Sequence, residues 1–161
     1  MAYVDQQIEF SDSQAVTATA ISTNVYDLFT MSTGASATDL SPNTRINVGS
    51  GEDIYLVVNT AVTATDTSSD ATLIVTFETA DNEALSTNAQ VVATSGTLAF
   101  AAFATAGTNL LKIKLPSFAY RRYIGIRYTV ASGPLTAGAF DAFISTGVDD
   151  QRIYKSGFTV Q

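Results

Sequence analysis

The sequence predicts an all-β protein, a two-sheet antiparallel β-sandwich of jelly-roll type. Three observations carry that expectation. Apolar side chains alternate with a period of two through the clearest segments, the mark of strands with one packed face. Turn-forming residues recur at short intervals between those segments. Charged residues make up only 14% of the chain, below the usual quarter, and Ser, Thr and Ala fill the gap, a composition suited to weakly charged sheet surfaces. At 161 residues the chain is expected to form one domain, 1–161, whose core needs no disulfide or metal. A closed barrel is the alternative architecture.

In chain order, 14–20, 24–29 and 44–49 are weakly patterned strand candidates. DIYLVVN (53–59) is apolar on both faces and reads as a central strand. In TLIVTFET (72–79), Leu73, Val75 and Phe77 share one face and Thr72, Thr76 and Glu78 the other. ADNEALST (80–87) resembles a single helical turn. Segments 89–94 and 97–103 are further strand candidates. LLKIKLP (110–116) turns Leu111, Ile113 and Leu115 one way and Lys112 and Lys114 the other. RRYIGIRYTV (121–130) buries Ile124, Ile126, Tyr128 and Val130, leaving Tyr123, Gly125, Arg127 and Thr129 outside. A last strand is expected at 138–146. Turn signals separate these segments at 41–43, 49–51, 65–70, 94–96, 106–109, 131–134 and 137–138.

Charge is unevenly placed. The net charge is -7, yet residues 1–83 carry twelve acids against Arg45 alone. Residues 84–140 carry five bases (Lys112, Lys114, Arg121, Arg122 and Arg127) and no acid. Such asymmetry either persists as a dipolar surface or cancels when the two regions pack together. The absence of Cys removes disulfides, thiol nucleophiles and thiolate zinc sites; the absence of His removes the usual general base. Met1 to Phe10 lacks a basic start followed by an apolar stretch, so no secretory signal is expected. The longest apolar run, LAFAAFA at 98–104, is too short to cross a bilayer, and no membrane partner is expected.

The candidate chemistries are thin. Asp66-x-Ser68-x-Asp70 has the opening spacing of a calcium loop but lacks its turn glycine and closing Glu, so a solvated turn is the better reading. The neighbouring acids Glu52–Asp53 and Asp149–Asp150 point to opposite faces if extended, which makes them poor joint ligands. No Ser-x-x-Lys is present to activate a hydroxyl. The expectation is a protein that is not an enzyme and uses no cofactor or metal.

AYRRYIGIRYTV (119–130) gathers three arginines and three tyrosines. Bases could stack on such rings, but nucleic-acid binders generally present a basic stripe on a basic domain, and this chain is acidic. Two readings remain level: a packed strand with Arg121 and Arg127 on its outer face, or a protein contact, for which exposed Arg and Tyr are enriched.

Three segments resemble one family. SDSQAVTATAISTNVYDL (11–28) has an Asp-x-Gln lead and a Ser-Thr-Asn-x-x-Asp-Leu close. KLPSFAYRRYIGIRYTV (114–130) has Leu-Pro, a short loop, then Arg-Arg-Tyr and an alternating strand. LTAGAFDAFISTGVDDQ (135–151) has a Thr-Ala-Gly turn before a strand. In that order and spacing they resemble the capsid cement, or stapling, proteins of short-tailed double-stranded DNA phages. The resemblance implies a jelly roll on the outer capsid surface of the virion, made in the host cytoplasm. It implies binding to the major capsid protein and cross-linking of neighbouring subunits, as a homo-oligomer with a dimer favoured over a trimer. Lys112, Lys114, Arg121, Tyr123 and Arg127 are the expected capsid contacts, with Arg122 turned to the other face. The C-terminal extension 152–161 is expected to pack on, or swap with, a neighbour. The alternative is a carbohydrate- or host-receptor-binding module of a head or tail fibre, for which Tyr26, Tyr55 and Tyr120 are the available rings.

Overall fold

Ten strands and one helical turn build two packed antiparallel sheets in the computed structural model, which describes residues 9–28 and 53–146. The strands are β1 (Glu9–Ala15), β2 (Ala20–Ile21), β3 (Tyr26–Asp27), β4 (Tyr55–Thr65) and β5 (Thr72–Ala80), then β6 (Gln90–Thr94) and β7 (Leu98–Ala99). The turn α1 (Phe100–Phe103) precedes β8 (Asn109–Lys114), β9 (Tyr123–Ala131) and β10 (Ala137–Ser145). One sheet has the order β1-β10-β4-β8; the other is β2-β9-β5-β6, with β3 also on β9 and β7 also on β5.

Counting β2 with β3, and β6 with β7, as one position each leaves eight positions. The first pairs the eighth, the second the seventh, the third the sixth and the fourth the fifth. That nested pairing is a long hairpin rolled into two sheets, the jelly roll the alternation predicted.

The core lies between the sheets. Leu73, Val75 and Phe77 of β5 and Ile124, Ile126 and Tyr128 of β9 are buried, as their alternation requires. They meet Phe10, Leu56, Val58, Leu111 and Phe140 of the opposite sheet. Tyr128 stacks on Phe140, centroids 5.4 Å apart, and its hydroxyl lies 3.0 Å from Ser11 Oγ, tying β9 to β1 across the core. Burial pushes the Tyr128 phenol well above its ordinary range, against the smaller opposing effect of the Ser11 bond. Tyr120 pins the crossover from β8 to β9 by donating its hydroxyl to Pro116 O at 2.8 Å, and burial raises its pKa to about 12.

Several expectations change. Strand 14–20 is a corner: β1 ends at Ala15, and Thr17 to Thr19 bend before β2 begins. The sequence reading missed β1 because its SDSQ portion is polar, which an edge strand tolerates. Segment 97–103 is strand only at Leu98–Ala99. Phe100 and Phe103, three apart, then pack edge to face at 5.5 Å around an exposed Ala-Ala, and the backbone takes one helical turn. Residues 81–88 form a turn in which Asn82 Oδ1 accepts from the N–H groups of Ser86 and Thr87. Strand 44–49, the turns at 41–43 and 49–51, and the extension 152–161 lie outside the described residues.

Candidate interaction surface

Of the arginines and tyrosines of 119–130, Tyr123 and Arg127 fall on the outer face of β9, while Tyr128 faces the core. Because Ile124, Ile126 and Tyr128 point inward, Tyr123, Gly125 and Arg127 lie on the opposite side. That face is partly roofed, which the alternation alone did not indicate. The 81–88 turn folds back over it and sets Leu85, fully buried, above Gly125. A Cβ on Gly125 would lie 2.8 Å from Leu85 Cδ1 and 3.2 Å from Val25 Cγ2, so this position admits glycine for close packing.

The roof is fastened by charge. Arg127 Nε donates to both carboxylate oxygens of Glu78, each at 3.0 Å, and its Nη2 donates to Leu85 O at 2.7 Å. Glu78 is buried on β5, one strand over, and Thr76 Oγ1 donates to it at 2.8 Å. Arg121 Nη1 reaches both oxygens of Asp81, at 2.9 and 2.8 Å, at the foot of the same turn. Arg122 grips Asp27 of β3 through Nε and Nη2 and lies 5.0 Å from the Tyr123 ring centroid. The hydrogen bonds that Arg122 donates to Asp27 raise the pKa of its guanidinium above the ordinary value. Lys114 pairs with Asp53, a hydrogen bond that raises its ammonium pKa.

Lys114, Arg121, Arg122 and Arg127 thus meet acids from the first 83 residues. The charge asymmetry cancels by packing the two regions together. The side chains of Arg121 and Arg127 are 28% and 29% exposed, and Arg122 is the most open of the three at 49%. Arg122 was the weakest sequence candidate; it precedes the first residue of β9, so strand alternation does not govern it.

The five expected contacts do not form one patch. Arg121, Tyr123 and Arg127 belong to the six-stranded sheet and its approach, whereas Lys112 and Lys114 are exposed on β8, an edge of the four-stranded sheet. Of the rings reserved for a saccharide, Tyr120 is buried, and Tyr26 is half-buried in a T-shaped contact with Phe10 at 4.9 Å. The Asp66 loop is a turn: Asp66 Oδ2 accepts from the N–H groups of Asp70 and Ala71, each at 3.0 Å. Among the described residues, no group of three or more acidic side chains gathers in a metal-ligating arrangement.

The segments bearing the family likeness are distant in sequence but adjacent in space. Residues 11–28 supply most of β1 with β2 and β3, 114–130 supply most of β9, and 135–151 supply β10. β1 pairs with β10, and β2 and β3 pair with β9, so together they make one flank of the sandwich. The strand order and this flank define a jelly-roll β-sandwich whose basic side chains are held by its own acids. Residues 10–144 match the sequence model of the Bbp16 family, and the chain belongs to that family. No curated protein matches it.

Proposed function

We propose that this protein binds the outside of an assembled phage capsid and cross-links neighbouring major capsid subunits, stiffening the head against the pressure of packaged DNA. The observation that supports this reading best is the joining of the three cement-like segments into one flank, β1–β10 with β2/β3–β9. A likeness arising from chance alternation has no reason to assemble into neighbouring strands. The action is surface complementarity, non-covalent and without a cofactor. Lys112 and Lys114 on one sheet, and Tyr123 with the arginines on the other, give the slab contact groups on two faces, an arrangement suited to bridging two neighbours. On a repeating lattice, modest contacts gain strength through high effective concentration.

The internal ion pairs select which residues to test. Replacing Arg121 and Arg127 by Glu would set new carboxylates against Asp81 and Glu78 and disturb the fold itself. Lys112→Glu with Lys114→Glu also breaks an ion pair, Lys114–Asp53, but that pair is exposed on both sides and its loss costs the fold little. Purified protein mixed with stripped mature heads and imaged by cryo-electron microscopy should add density to the outer surface. The double lysine variant should keep the wild-type Tm and lose most of that density. Undiminished decoration removes the electrostatic part of the proposal, and bare heads with wild-type protein remove the whole of it.

A further inference from the structure

We propose that the 81–88 turn is a latch. Its tip, Leu85, lifts off Gly125 while the bonds centred on Asn82 stay closed; Arg121 holds the pivot at Asp81, and Arg127 is the catch.

The turn is knitted to itself. Asn82 Oδ1 accepts from the N–H groups of Ser86 and Thr87, and Asn82 Nδ2 donates to Ser86 Oγ at 2.8 Å. Asp81 N donates to Thr87 O at 3.0 Å, and Asn88 Nδ2 closes the foot on Asp81 Oδ2 at 2.8 Å. None of these bonds uses the side chain or the carbonyl of Leu85, so the tip can rise without breaking them.

The ties to the sandwich differ at the two ends. At the foot, Arg121 Nη1 grips both carboxylate oxygens of Asp81. At the tip, the Leu85 side chain sits over Gly125 with Val25 alongside, and Arg127 Nη2 donates to the Leu85 carbonyl. Glu78 belongs to β5 and stays behind when the tip moves. By engaging Arg127 Nε with both oxygens it aims the guanidinium at that carbonyl. Leu85 also has φ 49°, a left-handed conformation that bulky side chains rarely adopt. Strain of this kind persists where surrounding contacts hold it, and it weakens the closed state against opening.

Opening frees one arm of Arg127 and bares β9 at Gly125. Tyr123 and Arg127 lie on this same face, so the latch sets which groups the face presents. That consequence rests on the capsid reading; the latch itself does not.

The chain has no cysteine, so Leu85→Cys introduces a single thiol at the tip. The carbonyl that Arg127 holds is main-chain and remains. Labelling with N-ethylmaleimide should proceed at a rate that does not change with urea below the unfolding transition, the mark of an opening that exposes little surface. Adding Arg127→Gln should speed labelling roughly tenfold or more, as the loss of a charge-assisted hydrogen bond implies. Adding Arg121→Gln should speed it less than about fivefold. Hydrogen exchange on the Arg127→Gln protein should find the Ser86 and Thr87 amides as protected as in the wild type. If Arg127→Gln prevents folding, Arg127→Lys, which keeps a charge beside Glu78 without the fork, takes its place in the same measurements. Labelling that accelerates with urea in step with global unfolding overturns the proposal, as does a rate unmoved by removing the Arg127 guanidinium. Equal acceleration by the Arg121 and Arg127 variants overturns the assignment of pivot and catch. Loss of Ser86 and Thr87 protection overturns it too, because the turn then unravels instead of swinging. None of these measurements involves heads, so the latch and the capsid reading stand or fall separately.

Discussion

Asp66 shows how one side chain governs a crossover between sheets. Its carboxylate accepts amide hydrogens from Asp70 and Ala71, with Ala71 the strongest of the contacts that hold its pKa below the usual 3.8. A depressed folded-state pKa means stabilisation that is complete above the unfolded value and lost as pH falls through the folded one. Asp66→Ala should therefore lower Tm at pH 7, and the gap from wild type should close as pH drops below about 3.8, which thermal scans across the acid range will read. The turn was legible in the sequence because Asp and Ser favour such geometry. The donors were not, since spacing alone does not say which amides a loop turns inward. Gly125 makes the same point: alternation placed it outside, and Leu85, forty positions away, covers it.

At the scale of elements, the clean strands were legible and the corners were not. Leu73, Val75, Phe77, Ile124, Ile126 and Tyr128 went where a period of two sent them, because one-sided burial fixes register. Bulges leave little trace in that pattern. Between Ala137 and Ala139 the pairing with β4 slips, and Gly138 sits there at φ 148°. A Cβ at Gly138 would lie 3.0 Å from Ala64 Cβ and 3.2 Å from Ala64 Cα, which is backbone and cannot swing away. Gly138→Ala should cost about 2 kcal/mol, combining an unfavourable φ with overpacking. Urea denaturation should show a lower midpoint with an unchanged slope. Phe100 and Phe103 mark the opposite failure: a spacing of three inside an apolar run read as strand became one turn of helix.

Over the whole molecule, the acid-rich first half and the base-rich segment close on each other through Asp27–Arg122, Asp53–Lys114, Glu78–Arg127 and Asp81–Arg121. These pairs differ in weight. Arg122→Gln breaks a half-exposed pair and should cost under about 1 kcal/mol. Arg127→Gln leaves the buried Glu78 carboxylate with Thr76 as its remaining named donor and frees the Leu85 carbonyl, so it should cost about 2 kcal/mol or more. Equal losses by denaturant titration would mean that the roof over β9 contributes nothing. The candidate contact residues were individually visible in the sequence as Lys, Arg and Tyr at outward positions, but their division between two sheets, and the ion pairs that leave Arg121 and Arg127 only partly exposed, were not. The sequence by itself determined the all-β class, the inward set of the core strands and the uneven charge, because alternation and composition are local properties of the chain. Only the tertiary structure decided that the charges cancel, that Gly125 lies under a roof and that three remote segments form one flank. Those depend on which strands meet, and strand pairing is set by the packing of side chains far apart in sequence.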